Sequence, residues 1–122
     1  MASIFILENN EDISFVLDAW FTKNGYEVKC FSSSAQIFQE IARFTPNVVL
    51  LDLHLQENNV DGYVVCSKLK GEYHYPNKVF LMSGVPHTKD TLDMSCIDGF
   101  IEKPFYLKDV FETINAAVKG AE

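Results

Sequence analysis

Three short apolar runs punctuate the chain without interruption: Ser3-Ile4-Phe5-Ile6-Leu7, Asn47-Val48-Val49-Leu50-Leu51 and Lys78-Val79-Phe80-Leu81-Met82. A strand with one wet face alternates polar and apolar residues, so runs that do not alternate predict strands covered on both sides, as in the middle of a parallel sheet. Tyr26, Val28 and Cys30 do alternate with Glu27, Lys29 and Phe31. That strand has one wetter face and belongs at the sheet's edge. Asp98-Gly99-Phe100-Ile101 reads as a short last strand.

Between the strands the apolar spacing becomes helical. Ile13, Val16, Leu17, Trp20 and Phe21 repeat with that period up to Asn24-Gly25, where glycine can supply a left-handed cap, and Trp20 is assigned to the core. Ser33 and Gln36 have the spacing of a capping box, and Ala35, Phe38, Ile41 and Ala42 form the expected buried stripe of the next helix, which stops before Pro46. A polar loop from His54 closes on Asp61-Gly62, which opens a helix with Val65, Cys66 and Leu69 inward and Gly71 at its end. Behind Pro86, Thr88 to Ser95 leaves room for a short fourth helix of about two turns. Leu107, Val110, Phe111, Ile114 and Val118 mark a closing amphipathic helix. Five strands alternating with five helices over short connections predict an α/β fold, a parallel sheet covered on both faces. No repeat, linker or low-complexity tract divides residues 1–122, so one domain fills them.

Composition narrows the class. At 48% hydrophobic and 22% charged residues the chain has the make-up of a globular protein, and its net charge of -7 argues against a nucleic-acid groove or an anionic membrane face as the primary partner. Cys30, Cys66 and Cys96 lie far apart with no C-x-x-C spacing, which signals neither a disulfide framework nor a zinc site. They are expected to be small buried hydrophobes in a reducing cytoplasm. No charged stretch leads into an apolar core at the start, and no long apolar span follows, so export and membrane insertion are not expected.

The candidate chemistry stands where the strands end. In open α/β sheets ligands bind beyond the carboxyl ends of the strands. Those ends carry Glu8-Asn9, Asp52, Ser83 and Lys103. Singly, each has an ordinary explanation: a helix cap, a strand-ending turn, a turn hydroxyl, a solvated lysine. Delivered to one crevice, two carboxylates, an amide and a main-chain carbonyl make an oxygen-only set suited to a hard cation such as Mg²⁺ rather than zinc. A hydroxyl and an ammonium opposite could hold the other oxygens of a phosphoryl group, whose transfer needs little beyond positioning and charge neutralisation. Gly84 leaves room for the incoming group, and Pro104 biases Lys103 toward an extended conformation that aims it inward.

These motifs, Ile6-Leu7-Glu8-Asn9-Asn10-Glu11-Asp12, Val49-Leu50-Leu51-Asp52-Leu53, Asp61-Gly62, Leu81-Met82-Ser83-Gly84 and Lys103-Pro104-Phe105, resemble in order and over essentially the whole chain the receiver domain of two-component response regulators. The resemblance implies a flavodoxin-like, doubly wound sheet with strand order 2-1-3-4-5, an order the general rule for such folds already illustrates with a receiver. It implies that Asp52 takes a phosphoryl group from the histidine of a kinase or phosphotransfer protein. Ser83 would then move to that group, Lys103 would be its counter-charge, and Phe100 would change rotamer with Ser83. Glu8, Asn9, Asp52 and the backbone carbonyl of His54 would be the metal set. Three departures stand out: Asn9 where the family has an acid, a longer loop before Asp61, and a shorter segment between Ser83 and Lys103. With one acid missing, Mg²⁺ is expected to bind at least about 10 to 100-fold more weakly unless Glu8 reaches in; Glu11 and Asp12 are bystanders by alignment, though either could compensate.

The leading expectation is a phosphorelay receiver, not an enzyme, that switches a protein-binding face. Since the chain stops just after its last helix, output by protein contact is expected, unless the chain is one domain of a longer protein. The alternative is a pseudo-receiver that binds a partner constitutively with weak or no phosphorylation, favoured by Asn9. A Mg²⁺-dependent hydrolase would need an acid or base beside Asp52, and only His54 is close in sequence. A nucleotide or flavin carrier lacks any glycine-rich phosphate loop. Tyr63, Tyr73, His74 and Tyr75 fit a sticky surface patch or, equally well, a partly covered loop around Pro76, and Tyr106 is placed to join a homodimer or partner face.

Overall fold

The computed structural model describes residues 1–57, 60–85 and 94–120. In chain order these form β1 (Ser3–Leu7), α1 (Glu11–Lys23), β2 (Glu27–Phe31), α2 (Ser34–Ile41), β3 (Val48–Asp52), α3 (Gly62–Gly71), β4 (Lys78–Ser83), a 3-10 turn (Met94–Cys96), β5 (Gly99–Glu102) and α4 (Leu107–Gly120). All strand pairs are parallel, in the order β2-β1-β3-β4-β5. The flavodoxin-like expectation is therefore met. The short fourth helix expected over Thr88 to Ser95, and Pro86 before it, lie largely outside the described residues.

Burial follows the sequence pattern. β1 and β3 are buried at every position, whereas β2, at the edge, is half wet. Alternation of side chains across the sheet sorts the core into two halves. Ile4, Ile6, Val48, Leu50 and Met82 meet Leu17 and Phe21 of α1 and Val110, Ile114 and Val118 of α4. Phe5, Leu7, Val49, Leu51 and Leu81 meet Ile37 and Ile41 of α2 and Val65, Cys66 and Leu69 of α3.

Local chemistry sets the helix ends. Asn10 caps α1 by accepting from the Asp12 and Ile13 amides at 3.0 and 3.1 Å, and Gly25 follows its end at φ +92, the left-handed conformation expected there. Asp61 caps α3 through the Val64 amide at 2.8 Å. Gly62, beside it, is required by space: a Cβ there would run into the Asp52 carbonyl oxygen and come within 2.9 Å of Leu53 Cα.

Several expectations are corrected. The Ser33 side chain makes no capping hydrogen bond, and Gln36 accepts from the Ser32 amide at 3.1 Å instead. A distant residue caps α2: Glu57, in the loop after β3, accepts from the Ser34 amide at 2.9 Å and from its hydroxyl at 2.6 Å. Ile37, not Ala35 or Ala42, shares the buried stripe with Ile41. Along α1, Val16 is exposed and Trp20 only half-buried, its Nε1 covered without a hydrogen-bond partner among the described residues. Cys30 is exposed rather than buried, since its strand lies at the edge; Cys66 is buried and Cys96 half-buried.

Candidate functional site

The sheet's register brings the carboxyl ends of its strands to one rim. Leu7 pairs with Leu51, Asp52 with Met82, and Ser83 with Glu102, so Asp52 and Ser83 within these pairs and Glu8 and Lys103 just beyond them come to one crevice. The Lys103 amide donates to the Ser83 carbonyl at 2.8 Å, and the Leu53 amide to the Met82 carbonyl at 2.8 Å, carrying the ladder past the formal strand ends. Lys103 follows β5 and precedes a cis peptide bond to Pro104.

Glu8, Asp52 and Ser83 are all nearly sealed from solvent, at 3%, 3% and 1% exposure. Lys103 Nζ lies 3.2 and 3.3 Å from the two Glu8 carboxylate oxygens and 3.5 Å from Asp52 Oδ1. One ammonium thus serves two buried carboxylates. Burial, then the Asp52 charge and a hydrogen bond to Asp52, push the Glu8 carboxyl up to about 7 against the opposing pull of Lys103. A buried carboxylate pair short of positive charge is an arrangement a cation would relieve. Among the described residues no three His, Cys, Asp or Glu side chains cluster as a metal site. A cation in this crevice would rest on two carboxylates completed by neutral oxygens, which is hard-ion chemistry.

The other expected residues divide. Asn9 is half-buried and lines a neighbouring cleft of about 410 Å³ with Glu8, Glu11, Asp18 and Cys30. Phe100 packs against the core on the α3 side of the sheet. A Cβ at Gly84 would meet Lys103 Cβ at 3.7 Å, an ordinary contact, so crowding does not require glycine there. The His54 amide donates to Asp52 Oδ1 at 3.2 Å.

One contact was not foreseen from the sequence. The His54 ring, on an exposed residue, places Nε2 3.0 Å from Ser83 Oγ, which also accepts from the Val85 amide at 3.0 Å. The available signal is spacing: residues two apart in an extended segment point the same way, so His54 follows Asp52 to the rim.

A family model for the response regulator receiver domain matches residues 4–115, and the chain belongs to that family. The transcriptional regulatory protein YxdJ of Bacillus subtilis is 29% identical over 99% of this chain and 52% of its own length, and the sensory transduction protein BceR of the same organism is 25% identical over 95% and 49%. The chain thus spans about half the length of these relatives. Among solved structures, a CheY-like receiver domain protein from Methanospirillum hungatei superposes with a TM-score of 0.87 at 19% identity, covering 98% of this chain and 95% of that one. The response regulator TrrA from Thermotoga maritima, solved with Mg²⁺ and BeF, superposes at 0.84 and 17% identity, over 96% and 99%. Both likenesses are of fold. The chain has the receiver domain of two-component response regulators.

Proposed function

We propose that this receiver accepts a phosphoryl group on Asp52 from the histidine of a kinase or phosphotransfer protein. The observation that carries the reading is the buried convergence of Asp52 with Glu8, Lys103 and Ser83 at the strand ends. An Asp52 carboxylate oxygen attacks phosphorus, the bond from phosphorus to the donor nitrogen breaks, and the leaving imidazole keeps the electron pair and takes up a proton. Glu8 and Asp52, with Asn9 and the His54 main-chain carbonyl, are the residues that would hold Mg²⁺, whose contribution there is to neutralise phosphoryl oxygens. Lys103 turns from Glu8 toward the new phosphoryl group, Ser83 donates to another of its oxygens, and Phe100 changes rotamer as Ser83 moves. The chain acts in this reading as an acceptor and switch in the cytoplasm, not as a turnover enzyme.

Downstream output runs through a protein contact, with no direct role for nucleic acid or membrane. No described helix is long and apolar enough to cross a membrane. Tyr106, 80% exposed beside β5 and α4, belongs to the surface offered to a target or to a second copy.

A second reading has its own support. Asn9 removes one acid, and Lys103 sits closer to Glu8 than to Asp52, an arrangement that suits a pseudo-receiver recognising a partner without efficient phosphorylation. Intact-protein mass after incubation with acetyl phosphate, with and without Mg²⁺ and beside Asp52→Asn, separates the two. The first reading expects a phosphoryl adduct that needs both the metal and Asp52. Absence of adduct at high Mg²⁺ selects the second, and Asn9→Asp is then the rescue to test.

A further inference from the structure

We propose that the His54 imidazole is a latch on Ser83, holding its hydroxyl in the unmodified protein and having to let go before Ser83 can engage a phosphoryl group on Asp52. The inference rests on the phosphoacceptor reading and assigns His54 a positioning role through its side chain, apart from the main-chain carbonyl already considered.

His54 touches both sides of the crevice. Its amide donates to Asp52 Oδ1 at 3.2 Å and its ring Nε2 lies 3.0 Å from Ser83 Oγ, so one residue spans the ends of β3 and β4. Ser83 is only 1% exposed, so its hydroxyl depends on partners the protein supplies rather than on bulk water. His54 is itself exposed. Its ring can therefore leave the hydroxyl without opening the core.

Both ring tautomers give the same result. With Nε2 unprotonated, the hydroxyl donates its only proton to the ring, and a phosphoryl oxygen must compete for it. With Nε2 protonated, the ring donates to Oγ and, beside the Val85 amide, holds that oxygen where it is. Turning Oγ toward Asp52 breaks the bond in either case. A ligand that needs the released hydroxyl then binds more weakly, its apparent Kd being the intrinsic one divided by the fraction of molecules in which the hydroxyl is free. Linkage makes the converse hold: a phosphoryl mimic on Asp52 frees the His54 ring.

The test has two arms. In the unmodified, metal-free protein, imidazole nitrogen NMR reads the contact directly: Ser83→Ala is expected to shift the His54 Nε2 signal, and an unchanged signal overturns the latch. Beryllofluoride with Mg²⁺ then serves as the phosphoryl mimic, its binding followed by calorimetry. His54→Phe keeps a ring without hydrogen-bonding nitrogens and is expected to bind it about two- to tenfold more tightly, the range one net hydrogen bond supports. His54→Gln, which can still reach a hydroxyl, is expected to return toward wild type. The gain from His54→Phe is expected to vanish in a Ser83→Ala background. A gain that persists there, or none in either background, overturns the latch. Wild-type protein that binds no beryllofluoride and forms no adduct overturns the phosphoacceptor reading instead, while the ring signal still decides the contact.

Discussion

The interior of the sheet and its carboxyl edge are built from the same strands and sealed from water to nearly the same degree, yet they bury opposite kinds of group. Leu51 is fully buried among apolar neighbours, and Asp52, the next residue, is 3% exposed beside a second carboxylate and a single ammonium. Burial of the first is favourable by about 1.5–3 kcal/mol. Burial of the carboxylate pair at the edge costs desolvation that one shared lysine offsets incompletely, as the raised Glu8 carboxyl records. The fold therefore draws its stability from the middle of the strands and places poorly compensated charge at their ends, where a ligand can complete it.

The largest effect that would sharpen this contrast belongs to the interior. Leu51→Ala is expected to cost about 2–5 kcal/mol in urea unfolding, the transfer term plus a cavity. A loss well below that would mean that the α2 and α3 side of the core closes over the gap.

Next comes the edge. Glu8 binds a proton more tightly folded than unfolded, its pKa rising from 4.5 to about 7, so its contribution to stability is present below 4.5 and is lost as pH climbs to about 7. In metal-free protein the slope is expected to reach about 1.4 kcal/mol per pH unit at its steepest. Glu8→Gln should flatten it; an unchanged slope would place the buried charge imbalance elsewhere.

The smallest expected effect tests how the edge is tied to the rest. Glu57→Ala removes both bonds to Ser34 and is expected to cost about 1–2 kcal/mol, with faster amide exchange at Ser34. Exchange that stays slow would show that α2 starts without its distant cap.

The strands were legible because Ile4 to Leu7 and Val48 to Leu51 are apolar throughout, rich in β-branched residues, too short for a buried helix and bounded by polar turns, which together select a doubly covered strand. Asp52, Glu8, Ser83 and Lys103 could be placed together because strand ends share a rim once the order is known. What the sequence concealed was tertiary. Ser33 and Gln36 had the right local spacing for a capping box, but a carboxylate from across the fold took the position. Ile37 outranked Ala35 because the phase of a short helix is set by the sheet beneath it. Cys30 is small and apolar enough for a core, and only its edge position leaves it wet. Spacing alone aims the His54 ring at the rim, and its partner there, 29 residues away, is set by the strand order.

The contact between Gly62 and the Asp52 carbonyl turns a missing methyl into a mechanical coupling. With no side chain to stand them apart, the first turn of α3 rests directly on the peptide of the candidate acceptor. Ten residues of helix extend from that point to Gly71, a rigid arm about 15 Å long at about 1.5 Å per residue. A tilt of about 4° at its root moves the far end by about 1 Å over that length. The backbone behind Asp52 is the seat of that arm, so a displacement there is met first at the root of α3.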